Sequence, residues 1–212
     1  MSQCDELLAL LMEAVKQQAA PGGEEKQIPV GVSNRHVHLS QGDLDRLFGP
    51  GHTLEKMKDL SQPGQYACKE TVTVCGPKGV IEKVRILGPV RSQTQVEILA
   101  ADCFKLGVKA PIRLSGDLDG TPGVTLVGPK GSVQTEKGVM IAQRHIHMHP
   151  KEAEKFGVHD GQWVDLQVDG LRGGVLKNTV IRVTGESALE CHVDTDEANA
   201  LSLGSASSVR IV

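Results

Sequence analysis

Arg-His-x-His occurs twice in this chain, as Arg35-His36-Val37-His38 and Arg144-His145-Ile146-His147, so four of its eight histidines sit in two matching clusters. Each copy lies in a β-branched setting, after Val30-Gly31-Val32 in the first case and Val139-Met140-Ile141 in the second. A pleated strand points residues i and i+2 to the same face. Each copy therefore presents two imidazoles to one side, with Val37 or Ile146 packing behind them. Imidazole is a common ligand for Zn²⁺ and other borderline divalent ions. One His-x-His would be explained as well by solvated strand ends or by histidines hydrogen-bonded in a polar core; the second copy favours a metal site.

The duplication extends past the histidines, which makes it an internal repeat. Asp43 to Gly49 and Glu152 to Gly157 both read as short helices that start acidic and end at glycine. Further on, Thr94-Gln95-Val96-Glu97-Ile98-Leu99 leads into a short helix closing at Leu106-Gly107, and Ala188-Leu189-Glu190-Cys191-His192-Val193 leads into a helix from Asp196 to Leu203, closing at Gly204. Glu97 and His192 fall in corresponding strands. Each half thus offers two histidines and one later ligand: His36, His38 and Glu97, then His145, His147 and His192. Three protein ligands with an open position is the pattern of a catalytic zinc site. His149 competes for the last place, but Pro150 ends the strand there, and the counterpart in the first copy is Ser40. Glu97 taken alone would be an ordinary surface carboxylate. Arg35 and Arg144, next to the ligand histidines, should point to the opposite strand face and pair with acidic neighbours.

A chain of 212 residues is long enough for one large or two small domains with a real core. Its net charge of −3, with one Trp, one Tyr and three Phe, supplies neither the basic field nor the stacking platforms of a nucleic-acid binder. Twenty-four glycines and ten prolines among short Val/Ile/Leu runs predict many short strands joined by turns. Gly76-Pro77-Lys78-Gly79, Gly128-Pro129-Lys130-Gly131 and Val168-Asp169-Gly170 are three such turns. A phosphate-cradling role for these glycines lacks the strand-loop-helix setting it would need. The five cysteines, Cys4, Cys68, Cys75, Cys103 and Cys191, have no C-x-x-C spacing and an odd count, which fits reduced thiols in a cytosolic protein. Cys191 reads as core, and Cys68 as a weak candidate nucleophile.

Residues 1–20 differ from the rest. Leu7, Leu8, Leu11 and Val15 form an apolar stripe at helical spacing, with Ser2 and Asp5 spaced like a capping box. Pro21-Gly22-Gly23 opens a linker over residues 21–27. Asp5 and Glu6 are unlike the basic start of a secretory signal, and no segment reaches transmembrane length. A detachable amphipathic helix that docks on a partner is expected, against the simpler alternative of a helix folded onto its own domain.

From about Pro29 to Val212 the sequence resembles the phosphate propanoyltransferases of bacterial microcompartments, the Pdu-type phosphotransacylases. The resemblance rests on four stretches: Ser33 to Leu39, Gly88 to Glu97, Gln143 to His147, and Glu190 to Asn199. It implies a mainly β fold with short helices, built as two small β-barrel domains related by a pseudo-twofold internal repeat, here residues 28–138 and 139–212. It further implies two Zn²⁺ ions held by His36, His38, Glu97, His145, His147 and His192, with Arg91 binding phosphate. The implied reaction transfers a short acyl group, propanoyl or acetyl, between coenzyme A and inorganic phosphate. An N-terminal helix that binds shell or core proteins of a microcompartment, residence in its lumen within the cytoplasm, and a homodimer are expected, with no membrane partner. Trp163 and the N-terminal helix are candidate contact surfaces. A role for Arg35 and Arg144 in anchoring the coenzyme A phosphates stays open. The competing functions are a zinc hydrolase that activates water through the same ligands, and a non-catalytic metal-binding or shell-associated protein.

Overall fold

The computed structural model describes residues 26–212; the helix expected over residues 1–20 and most of the 21–27 linker lie outside them. Mainly β structure with short helices is what the turn-rich sequence predicts and what the chain forms. In order, the elements are β1 (Ile28–Ser33), β2 (His36–His38), α1 (Gln41–Phe48), β3 (Lys56–Asp59), β4 (Tyr66–Cys75), β5 (Val80–Gly88), β6 (Gln95–Glu97), α2 (Ala100–Leu106), β7 (Ile112–Arg113), β8 (Thr125–Val127), β9 (Ser132–Gln134) and β10 (Val139–Ala142). There follow β11 (His145–Met148), α3 (Pro150–Phe156), β12 (Trp163–Val168), β13 (Gly174–Val183), β14 (Glu190–Asp194), α4 (Thr195–Leu201) and β15 (Ser208–Ile211). No helix among the described residues is long and apolar enough to cross a membrane.

These strands make two units. One closes as a barrel in the order β1-β14-β11-β13-β12-β15, and the other is an open nine-stranded sheet built around β7-β10-β6-β2-β5-β4-β8-β9, with β3 on β4. Their registers repeat. His36 faces Glu97 across antiparallel β2 and β6, and His145 faces His192 across antiparallel β11 and β14. On the other side, β2 runs parallel to β5 and β11 parallel to β13.

The leading strands are exchanged between the halves. β1 runs parallel to β14, with Gly31 opposite His192, while β10 runs parallel to β6, with Met140 opposite Glu97. In space, segments 28–138 and 139–212 therefore each lend their first strand to the other's sheet. The exchange draws both histidine motifs to the junction of the units.

Each unit has its own core. Val37, Leu39, Leu44, Leu47, Ile86 and Leu126 are among the fully buried residues of the first, and Ile28, Ile146, Met148, Leu166 and Ile181 of the second. Val37 and Ile146, between the paired histidines, have no exposed surface. Burying such a side chain contributes about 1.5–3 kcal/mol, which holds the alternation in register.

The short helices carry the expected caps. Ser40 caps α1 by accepting from Asp43 N, and His149 caps α3 by accepting from Lys151 N. Gly107 and Gly157 end α2 and α3 in the left-handed conformation that favours glycine, at φ 73 and 72°. The last helix ends earlier than its sequence suggests. Ser202 takes the left-handed cap at φ 54°, and Leu203 turns back to pack on the barrel core with its N–H on Ala198 O. The two Gly-Pro-Lys-Gly turns, each closed by a Gly-to-Gly hydrogen bond, cap helices from outside. Lys78 N donates to Leu106 O and Lys130 N to Leu47 O, and a Cβ on Gly76 or Gly128 would strike those carbonyls at 2.2 and 2.6 Å.

Candidate metal centre

All seven candidate site residues line one cavity of about 600 Å³ at the junction of the units: His36, His38, Arg91, Glu97, His145, His147 and His192. Within it they form two clusters, His36/His38/Glu97 and His145/His147/His192, whose ligand atoms lie within 4.8 Å of one another in each.

Backbone carbonyls orient the imidazoles. His36 Nδ1 is 2.7 Å from Asn34 O, and His145 Nδ1 is 2.8 Å from Gln143 O. A carbonyl can only accept, so the proton sits on Nδ1 and the Nε2 lone pair faces the cavity. His38 Nδ1 is held the same way by Leu87 O at 3.2 Å. At His192 the order reverses: Nε2 lies 2.5 Å from Glu190 Oε2, which leaves the lone pair on Nδ1.

The donor spacing fits metal ligation. Two ligands of one tetrahedral zinc stand about 3.3 Å apart at ordinary Zn–N distances. His36 Nε2 is 3.3 Å from Glu97 Oε2, and His145 Nε2 is 3.0 Å from His147 Nε2. The rings of His145, His147 and His192 meet edge to face, with centroids 4.7–5.1 Å apart.

Electrostatics keeps His38, His145, His147 and Glu97 in ligand form. Burial, reinforced by the neighbouring His36, lowers His38 to about 3. Burial likewise lowers His145 to about 4, with His192 adding to it, and His147 to about 3, with His145 and His192 adding. For Glu97 burial acts upward, but His36, His38 and Arg91 outweigh it and hold the carboxyl well below the usual range. His36 is pressed down by burial and raised above its ordinary value by Glu97, so a proton and a cation compete for its Nε2.

A polar network that the sequence pattern does not reveal braces the first cluster. Gln95 Nε2 donates to Glu97 Oε1 at 2.5 Å and to Ser115 Oγ at 2.9 Å; Ser115 donates to the same Oε1 at 3.1 Å. Arg91 NH1 donates to Ser115 at 3.0 Å. Glu97 Oε1 is thereby tied while Oε2 faces His36. Gln95 could have been found as the residue two before Glu97 on the same strand face; Ser115 carries no signal in the sequence. Glu190 is the equivalent of Gln95 and clamps His192, with Ser61 from the first unit bonded to its carboxylate.

Arg35 and Arg144 form the expected ion pairs, with Asp102 at 2.7 Å and Glu197 at 2.6 Å. Each acid stands in the first turn of the helix that follows the third ligand, so the pair ties the His-x-His strand to that helix. His149 is spent capping α3. Cys68 and Cys191 are core residues: burial pushes their thiols up to about 11 and about 12, which keeps them protonated and poor nucleophiles.

Comparison with known proteins identifies the family. A family model described as phosphate propanoyltransferase matches residues 29–204. The chain is 53% identical over 210 residues to the phosphate propanoyltransferase of Rhodobacter capsulatus, covering 99% of this chain and 97% of that one. It is 58% identical over 190 residues to that of Thermotoga maritima (89% and 90% covered), and 51% identical over 177 residues to that of Salmonella typhimurium (83% and 84% covered). With a match spanning nearly all the described residues, this chain belongs to the phosphate propanoyltransferase family of acyltransferases.

Proposed function

We propose that this protein transfers a propanoyl or acetyl group between coenzyme A and inorganic phosphate, at a two-zinc site held by His36, His38, Glu97, His145, His147 and His192. The single observation that carries this reading is the meeting of both three-ligand clusters with Arg91 in one cavity. Bound divalent ions would supply positive charge and open coordination positions for an incoming anion.

The protein's own groups supply placement. Arg91 offers a planar fork to two phosphate oxygens, and Ser115 fixes that fork from behind. An oxygen of phosphate then attacks the thioester carbonyl carbon, the C–S bond breaks, and the proton that phosphate gives up ends on the departing sulfur, so that acyl phosphate and the coenzyme A thiol are the products. Holding the two reactants side by side accounts for much of the rate. Gln95 and Ser115 keep Glu97 aimed, while the carbonyls behind His36, His38 and His145 keep each ring in one tautomer. Lys58, which lines the cavity, is an exposed cation suited to an anionic acyl carrier.

Residues 1–20 are proposed to direct the enzyme into a bacterial microcompartment by binding shell or core proteins, and the active form is proposed to be a homodimer. The decisive experiment measures zinc per chain together with coenzyme A release from propanoyl-CoA and acetyl-CoA, with and without phosphate. Two zinc ions and phosphate-dependent release are expected. Release that ignores phosphate would make the protein a hydrolase, and zinc without turnover would make it a binding protein.

A further inference from the structure

Four arginines line the cavity, and three are engaged within the protein. Arg35 pairs with Asp102, Arg85 NH1 donates to the carbonyls of Cys68 and Lys69, and Arg91 donates to Ser115. The side chain of Arg182 makes no hydrogen bond or ion pair among the described residues, although it is only partly exposed. A half-buried guanidinium held without an acid is costly unless a ligand supplies the anion.

Its place in the fold makes it part of the site. Arg182 stands on β13 directly beside His147 of β11. The repeat puts Leu87 at the same position of β5, one residue past Ile86, which pairs with Val37. The two halves are thus matched in their ligands and differ here, with an apolar side chain in one and a cation in the other. Arg182 is also near enough to act electrostatically on Arg91, reached from the opposite unit, as well as on His145 and His147. Two like charges facing one cavity repel each other and attract a multiply charged anion between them.

We propose that Arg182 is the second anion-binding residue of the site, closing on the phosphoryl group of inorganic phosphate or acyl phosphate from the side opposite Arg91. This rests on the acyltransfer reading above. A clamp with one arm from each unit explains why the phosphoryl group would sit between the two clusters rather than on one of them. Arg182 carries the fork geometry that matches phosphate oxygens, which a lysine would not reproduce.

The test uses the full chain with its natural metal content and the variants Arg182→Gln and Arg182→Lys, with inorganic phosphate and coenzyme A titrated separately by calorimetry. Losing a charged hydrogen-bonding partner should weaken phosphate binding about 10- to 100-fold in Arg182→Gln. Arg182→Lys should recover only part of that. Coenzyme A binding, zinc content and melting temperature should hold, since the side chain braces nothing in the fold. Unchanged phosphate binding overturns the proposal, as does loss of coenzyme A binding instead, which would assign Arg182 to the carrier's own phosphates. A fall in melting temperature or zinc content that accounts for the loss would also overturn it. If the unmodified protein shows no phosphate-dependent release of coenzyme A, yet Arg182→Gln loses phosphate binding, the acyltransfer reading fails and the anion site stands.

Discussion

Gly31→Ala tests whether the exchanged strand β1 shapes the second candidate metal cluster. Gly31 lies opposite His192, and a Cβ there would stand 2.7 Å from Glu190 Cδ and 2.9 Å from His192 Cδ2. Both distances fall well inside van der Waals contact, which for carbon begins at about 3.5 Å. Relief therefore needs a shift of about half an ångström or more in the Glu190–His192 pair, which is bonded at 2.5 Å and cannot move one member alone. The equivalent position on β10 is Met140, opposite Glu97, where a full side chain fits and is completely buried. Overpacking of this kind costs about 1–3 kcal/mol, and in a chain of this size each kcal/mol lowers the melting temperature by roughly 2–4 °C. Displacing a group that orients a ligand typically weakens metal binding about 10- to 100-fold. The assay is zinc titration with a competing chelator, followed by melting of the metal-loaded and metal-free proteins. One site should weaken and the other should not. Two sites of unaltered affinity, with melting within 1 °C of the parent, would show that β1 does not shape the cluster as described.

Three further outcomes follow from the same geometry. Arg91→Ala should raise the phosphate KM about 10- to 100-fold, the worth of a charged hydrogen bond, in steady-state assays where the acyl-CoA KM changes little. Cys68 and Cys191 have folded pKa values raised to about 11 and about 12, so their contribution to stability is complete below the ordinary thiol value near 9 and is lost as pH climbs toward those raised values. Chemical denaturation from pH 8 to 11 should show falling stability, with a shallower slope in Cys191→Ala. Deleting residues 1–20 should leave phosphate-dependent turnover within about twofold while abolishing co-purification with a microcompartment shell; retained co-purification would remove that role from the segment.

How far the site could be read from the chain varies residue by residue. His36, His38, His145 and His147 were legible because alternation on a strand is local: i and i+2 share a face whatever the tertiary context. Glu97 and His192 are candidates because a repeat maps one half on the other, and the two stand at equivalent positions in the shared antiparallel registers. The ion pairs of Arg35 and Arg144 followed from the same alternation. The end of the last helix was misplaced because Ser202, rather than Gly204, supplies the left-handed residue, a choice made by Leu203 returning to the barrel core.

Local periodicity and internal duplication therefore determined the strand-rich class, the repeat and the candidate ligand set. Tertiary structure alone decided that β1 and β10 trade sheets, that one unit closes while the other stays open, and that Ser115 and Arg182 reach the cavity. The physical reason is range. A strand's two faces are set by neighbours in sequence, whereas strand partners and cavity walls are set by which distant apolar surfaces bury each other, and no short stretch of residues encodes that pairing by itself.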